Sequence, residues 1–231
     1  MSINNDLRPY LLHTEEGAHT VFSPQFDATY HSKYGAIQEA QTVFIAAGLL
    51  AFAEAQTQHT PIRILEIGLG TGLNALMTFA TARTHELAID YTALEAYPLA
   101  PDLAAQLNFG AHIDFAEATD YLQKIHAAAW GERVSLSAAA HFCKLPTRFE
   151  DIAFDSAFDI IYYDAFAPSA QPELWTTEIF EKMYAALRPH GILTTYCAKG
   201  VVKRALRAAG FHVESLPGPR GKREMTRAHK R

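Results

Sequence analysis

Three glycines, three carboxylates and an aromatic stand along this chain at spacings that can do chemistry. In Ile62-Arg-Ile-Leu-Glu66-Ile-Gly68-Leu-Gly70-Thr-Gly72-Leu-Asn74 a β-rich run gives way to a helix-forming run across Gly68, Gly70 and Gly72. Glycine there permits positive φ and close approach of a ligand to the backbone, and the helix opening at Leu73 offers unpaired N–H groups. The spacing is E-x-G-x-G-x-G, tighter than the G-x-G-x-x-G that cradles a dinucleotide pyrophosphate. A plain strand-to-helix loop uses the same residues, so a second signal is needed. It comes from Ile89-Asp-Tyr-Thr-Ala-Leu-Glu95, which ends in a carboxylate 23 residues past Gly72. Doubly wound folds present an acid to ribose hydroxyls at an interval of ~20 residues; the alternative for Glu95 is a solvated strand end. Finally, the apolar run Ile160-Ile-Tyr-Tyr163 ends in Asp164-Ala-Phe166-Ala-Pro168, at the strand edge where open α/β sheets bind ligands. Asp164 can accept hydrogen bonds there, and Phe166 can stack a flat or cationic group; otherwise they are a strand-end cap and a core aromatic.

The elements that position these residues alternate. Strands are expected at Ile62–Ile67, Ile89–Leu94, Val134–Phe142, Phe158–Tyr163 and Gly191–Cys197, with helical patterns after Leu73, after Pro101, near Arg148 and from Pro172 to Leu187. Such alternation argues a parallel sheet. Gly200–Ala209 reads as a helix ended by Gly210, and Phe211–Leu216 and Arg223–Ala228 flank a Pro-Gly-Pro turn, which predicts an antiparallel pair. Ahead of this core, Tyr10–Thr14 and Thr20–Ser23 form a hairpin pattern, followed by a helix over Ile37–Ala55 stopped by Thr60-Pro61.

With 231 residues, 49% hydrophobic and 19% charged, the chain suits one α/β domain: an extension over 1–58 and a core over 59–231. The polar start lacks the pattern of a secretory signal, and the longest apolar run, Val43–Ala55, is shorter than the ~18 residues that span a bilayer. A cytoplasmic protein with no membrane partner is expected. Cys143 and Cys197 lack metal-ligand or disulfide spacing, and the His141-Phe-Cys143 pair suits packing, so no metal is assigned. Net charge is −5, yet Lys199–Arg231 holds ten Lys/Arg against Glu214 and Glu224, +8, leaving −13 elsewhere. That asymmetry suits a polyanion on one face, with Lys199, Lys203, Arg204, Arg220, Lys222 and Arg223 as the contacts, or else a solvated basic edge.

The tight glycine spacing resembles the first motif of class I S-adenosylmethionine methyltransferases, whose ligand presents a carboxylate, an ammonium and a sulfonium. The Asp164 segment resembles the (D/N)-P-P-(Y/F) loop of those that methylate exocyclic amines, with Ala165 and Ala167 departing from it. Ser23-Pro-Gln-Phe-Asp27-x-x-Tyr30-His-Ser, Gly35-x-x-Gln-Glu39, the glycine motif, Asp164-x-Phe-Ala-Pro168-x-x-x-Pro172-x-x-Trp175 and Gly221-Lys-Arg-Glu-Met225 together are similar to the MnmC-type methyltransferase domain, in order over nearly the whole chain.

The resemblance implies a Rossmann-like, mostly parallel seven-stranded sheet with a terminal antiparallel hairpin and an N-terminal extension. It implies methyl transfer from S-adenosylmethionine to 5-aminomethyl-(2-thio)uridine at the tRNA wobble position, in a standalone form without FAD. Glu66, Gly68, Gly70, Gly72 and Asn74 would surround the methionine end and Glu95 the ribose. Asp164 and Phe166 would face the reacting amine, with Asp164 orienting it and stabilising charge rather than acting as a strong base. Tyr30 and Glu39 would close the pocket, Pro168 would border the substrate, and Lys222 and Arg223 would meet tRNA phosphates. One position departs: His141-Phe142 aligns where the third strand often ends in Gly-Asp, so Phe142 either stacks on adenine or fills the core. The rival readings are a methyltransferase or aminopropyltransferase of a small amine, and a non-catalytic RNA-binding relative.

Overall fold

The computed structural model describes residues 8–56 and 60–231. The polar start at residues 1–7 and the expected 58/59 boundary lie outside the described residues. Strands β1 (Tyr10–His13), β2 (His19–Ser23) and β3 (Ala28–Thr29) form a small antiparallel sheet. The main sheet has eight strands in the order β10-β11-β9-β8-β4-β5-β7-β6. Its centre is parallel: β4 (Ile62–Ile67) pairs with β5 (Ile89–Leu94) and β8 (Phe158–Tyr163), β5 with β7 (Ala140–Leu145), and β8 with β9 (Leu187–Thr195). The expected C-terminal hairpin is present as β10 (His212–Pro217) and β11 (Glu224–His229), with β11 antiparallel to β9.

Parallel strands covered on both faces must be apolar throughout, and every residue of β8 is buried. Successive side chains point to opposite faces, which separates two cores. Ile64, Tyr91, Phe142 and Tyr162 pack with the helices Ala36–Ala55, Leu73–Thr84 and Ala118–Ala127. Leu65, Ile161, Tyr163 and Leu193 pack with Thr177–Ala186 and Gly200–Ala208 on the other face. The helix Ala36–Ala55 is long and apolar enough to cross a membrane, with mean hydropathy 1.4, but 50% of that stretch is buried inside the protein. Its bare Gly48 lets it lie against the sheet, since a Cβ there would meet the Tyr162 ring at 2.9 Å.

The eighth strand comes from Val134–Phe142, expected as one strand. It is two, β6 (Arg133–Ser137) and β7, folded antiparallel. The turn contains no glycine, proline or asparagine. Ser137 makes it instead: its hydroxyl accepts from Ala139 N at 3.3 Å, a side-chain turn with a weak sequence signature. The same register corrects the reading of His141-Phe142, which lies inside β7 rather than at its end at Leu145. Phe142 is fully buried and its ring contacts Phe79 and Tyr91, so it is core.

The chain leaves β4 toward β5 on one side and later returns to place β8 on the other. Loops from β4 and β8 therefore diverge, opening a crevice at their carboxyl ends. Phe142→Ala is expected to cost about 3–5 kcal/mol in urea denaturation while S-adenosylmethionine affinity persists at temperatures where the variant is folded. Lost affinity at unchanged stability would return Phe142 to an adenine contact.

Candidate active site

The crevice is a cavity of about 580 Å³ lined by residues of the N-terminal segment, the glycine turn, the β5 end, the β8 end and the C-terminal hairpin turn. Of the residues singled out from sequence, Tyr30, Glu39, Gly68, Gly70, Asn74, Glu95, Asp164, Phe166 and Lys222 line it. Glu66 is completely buried behind Asn74, and Gly72 sits left-handed at the start of the helix Leu73–Thr84. Pro168 and Arg223 are not among the lining residues, and Arg223 is exposed on the hairpin turn.

The glycine turn is shaped by what it must touch. Gly68 has φ +92°, and a Cβ on it would lie 3.0 Å from the Asp164 carbonyl oxygen; Gly70 has φ +51°, and its Cβ would lie 2.7 Å from the Tyr30 ring. A side chain at either position would wedge apart the β4 and β8 loops or expel the N-terminal segment. Glu95 fixes the turn from the other side, accepting Gly70 N at 2.9 Å and Tyr97 N at 2.7 Å. Burial raises its carboxyl above the usual range, and these backbone N–H groups oppose the rise.

Asn74 spans the crevice. Its Nδ2 donates to Glu66 Oε1 at 3.0 Å and to Asp164 Oδ2 at 2.8 Å, joining acids from adjacent strands. Burial and then the neighbouring Asp164 push Glu66 well above the ordinary carboxylate range, with Asn74 pulling the other way. Asp164 is pushed up to about 7, by burial first and then by Glu39, with Asn74 and Lys222 pulling the other way. Asn74 Oδ1 is buried and has no hydrogen-bond partner among the described residues, an acceptor suited to a ligand's ammonium.

The N-terminal segment covers the crevice with aromatics. Phe26 and Tyr30 meet Phe166 at centroid distances of 4.7 and 5.0 Å, and Phe26 meets Tyr97 at 5.2 Å. His31 anchors the segment, Nε2 lying 2.7 Å from Thr71 Oγ1; burial depresses it to about 4, so it is neutral at physiological pH. Lys222, expected on tRNA phosphates, turns inward: it pairs with Glu39 and lies 4.0 Å over the Tyr196 ring. His31, Tyr97, Phe149 and Tyr196 line the cavity without having been singled out. Tyr196 follows a strand end at the carboxyl edge, the one signal that marks it; Phe149 and Tyr97 follow β7 and β5 similarly.

These residues fit S-adenosylmethionine: Asn74 Oδ1 for its ammonium, Glu95 for ribose hydroxyls, and aromatic faces beside the sulfonium. The comparisons with known proteins point the same way. The chain is 32% identical to the tRNA 5-methylaminomethyl-2-thiouridine biosynthesis bifunctional protein MnmC of Burkholderia thailandensis over 93% of its own length and 34% of the relative's. It is 34% identical to the protein of that name from Magnetococcus marinus, over 93% and 32%. The chain thus spans about a third of the length of the curated relatives it matches. The crystal structure of MnmC2 from Aquifex aeolicus superposes with TM-score 0.75 at 21% identity, covering 97% of this chain and 71% of that one. Spermidine synthase from Thermotoga maritima gives 0.51 at 12%, covering 96% and 71%. Both likenesses show the fold. A family profile described as S-adenosyl-L-methionine-dependent methyltransferase matches residues 114–231, half of the chain, which therefore belongs to that family.

Proposed function

We propose that this chain transfers a methyl group from S-adenosylmethionine to the primary amine of 5-aminomethyl-(2-thio)uridine at the wobble position of tRNA, acting in the cytoplasm as a single domain. The observation that carries the reading is the placement of Asp164: it lines the cavity beside Phe166 at the end of β8, its Oδ2 accepting from Asn74 Nδ2 at 2.8 Å, and burial raises its carboxyl to about 7. The names of the curated relatives supply the nucleoside. Exposed Lys199, Arg204, Arg220 and Arg223 near the C-terminal edge supply cations for the tRNA backbone, within an otherwise acidic protein.

When bound, S-adenosylmethionine supplies an electrophilic methyl carbon on a positive sulfur. The protein's part is to seat a neutral amine ~3–3.5 Å from that carbon, in line with the bond to sulfur. A primary amine with an ordinary pKa of ~10 enters as the ammonium. Ionised Asp164 would accept one of its protons, leaving the amine neutral with a lone pair free for the methyl carbon that the donor would supply. A carboxyl titrating near neutrality is available in both forms at working pH, which makes a proton-accepting role compatible with the orienting one. Phe166, Tyr30 and Phe26 exclude water and face the sulfonium and the base.

Asp164→Asn is expected to reduce methyl transfer to undermodified tRNA at least ~100-fold, followed by nucleoside analysis with labelled donor, while calorimetric donor affinity stays within a few fold. Equal turnover in both proteins would remove Asp164 from the reaction. The same substitution bears on stability. Asp164 has a raised folded pKa, so its ionisation destabilises the fold progressively as pH rises from the unfolded value of 3.8 to about 7. Depressed His31 tilts stability the opposite way between 6.5 and about 4, but is common to both proteins. Asp164→Asn should therefore melt higher than the wild type at pH 8, by about 2–4 °C for each kcal/mol relieved, with the gap closing toward pH 4. A gap that widens on acidification would contradict the assignment.

A further inference from the structure

Lys222 and Glu39 are separated by 183 positions, yet they meet beside Asp164. Three segments are tied together there. Glu39 opens the helix Ala36–Ala55 and is 8% exposed; its Oε2 accepts Ser32 N at 2.9 Å, which holds the N-terminal segment, while Oε1 pairs with Lys222 Nζ. Lys222 ends the turn between β10 and β11. That turn is docked on the N-terminal segment, since a Cβ at Gly221 would fall 2.5 Å from the Tyr34 ring. Beneath the ammonium, Tyr196 donates its hydroxyl to Ala165 O at 2.8 Å, the peptide next to Asp164.

The charges around this point are few. Glu39 and Lys222 face Asp164 from the helix and the hairpin turn, and both act on its carboxyl. His31 from the N-terminal segment is neutral, its proton affinity lowered by burial. Tyr196 after β9 is held protonated by burial and the nearby acids. Glu66, behind Asn74, has its carboxyl pushed well up by burial and by Asp164. Asp27 and Glu95 line the same cavity, but Glu39 and Lys222 are the paired, opposite side chains that act on the Asp164 carboxyl, both partly withdrawn from solvent, where pairwise charge effects are least screened.

We propose that Glu39 and Lys222 are a positioning pair for the acceptor amine: by holding opposite charges beside Asp164 they set the pH at which Asp164 takes the amine's proton. The inference rests on the amine-methylation reading, and it gives Lys222 a role inside the cavity in place of a phosphate contact. The proton step is balanced: the ammonium N–H bond breaks, its proton passes to Asp164, and the neutral amine retains the electron pair that bonds the methyl carbon.

The two charges pull Asp164 in opposite directions, so their removal must as well. Glu39→Gln removes a negative neighbour and leaves Lys222 unpaired, which lowers the pH at which Asp164 titrates; Lys222→Met does the reverse. The titration is read directly from the Asp164 carboxyl signal in aspartate-labelled protein by NMR, assigned with Asp164→Asn. Shifts of about one unit downward in Glu39→Gln and upward in Lys222→Met are expected, with the double variant between the two and below the wild type, since Glu39 acts on the carboxyl more strongly than Lys222. The acidic limb of the kcat/KM profile on 5-aminomethyluridine tRNA should move with them. Lys222→Gln serves as a second neutral variant should Lys222→Met not fold. Unmoved carboxyl titration, or movement in the same direction in both single variants, would overturn the proposal and leave the pair a structural tie. Opposite shifts in a protein that methylates no tRNA would uphold the pair and sink the substrate reading instead.

Discussion

The site hangs on one amide. Asn74 Nδ2 bridges Glu66 at the end of β4 and Asp164 at the end of β8, two acids that neighbouring parallel strands bring together at the point where the strand order reverses. Without a shared donor, buried carboxyls this close would repel or both be protonated. The shared amide opposes the rise that burial imposes on both carboxyls, and Asp164 is left poised near neutrality. Asn74 can reach both only because the glycine turn is compact, and the turn is compact only because Gly68 has no side chain to collide with the Asp164 carbonyl. Backbone sterics, strand order and the acid–base character of the cavity are thus one constraint.

The N-terminal segment and C-terminal hairpin complete what the sheet begins. The sheet supplies a groove, open at its carboxyl edge as any doubly wound sheet is. Phe26, Tyr30 and His31 roof it, and the Glu39–Lys222 tie joins roof to hairpin. The roof lowers solvent access, which strengthens the electrostatics beneath it and raises Asp164. The protein carries buried ionisable groups at a cost to its stability, as functional sites commonly do.

What was legible in the sequence were the features whose physics is local. Gly68, Gly70 and Gly72 announce left-handed backbone, and all three have positive φ; the apolar runs before Glu66, Glu95 and Asp164 announce strands with acids at their ends. The alternation of strands and helices gave the parallel sheet and the closing hairpin. Hidden were features made by distant partners or by unmarked turns. Ser137-Ala-Ala carries only a serine as a turn signal, so one expected strand proved to be two and Phe142 moved from strand end to core. Lys222 sits in a basic stretch that reads as a phosphate contact; only the fold shows that Glu39 and Tyr196 draw it inward. His31, quoted only as part of the Tyr30-His-Ser motif, and Tyr196, marked only by its place after a strand, became site residues through the fold.

The most direct test of the bridging amide is calorimetric titration of S-adenosylmethionine into the wild type and Asn74→Ala. If the amide sets both the shape of the crevice and the acceptor for the ligand's ammonium, the variant should stay folded and bind at least ~10-fold more weakly, a loss of about 1.4 kcal/mol. A folded Asn74→Ala protein that binds the donor as tightly as the wild type would show that the two carboxyls need no bridge.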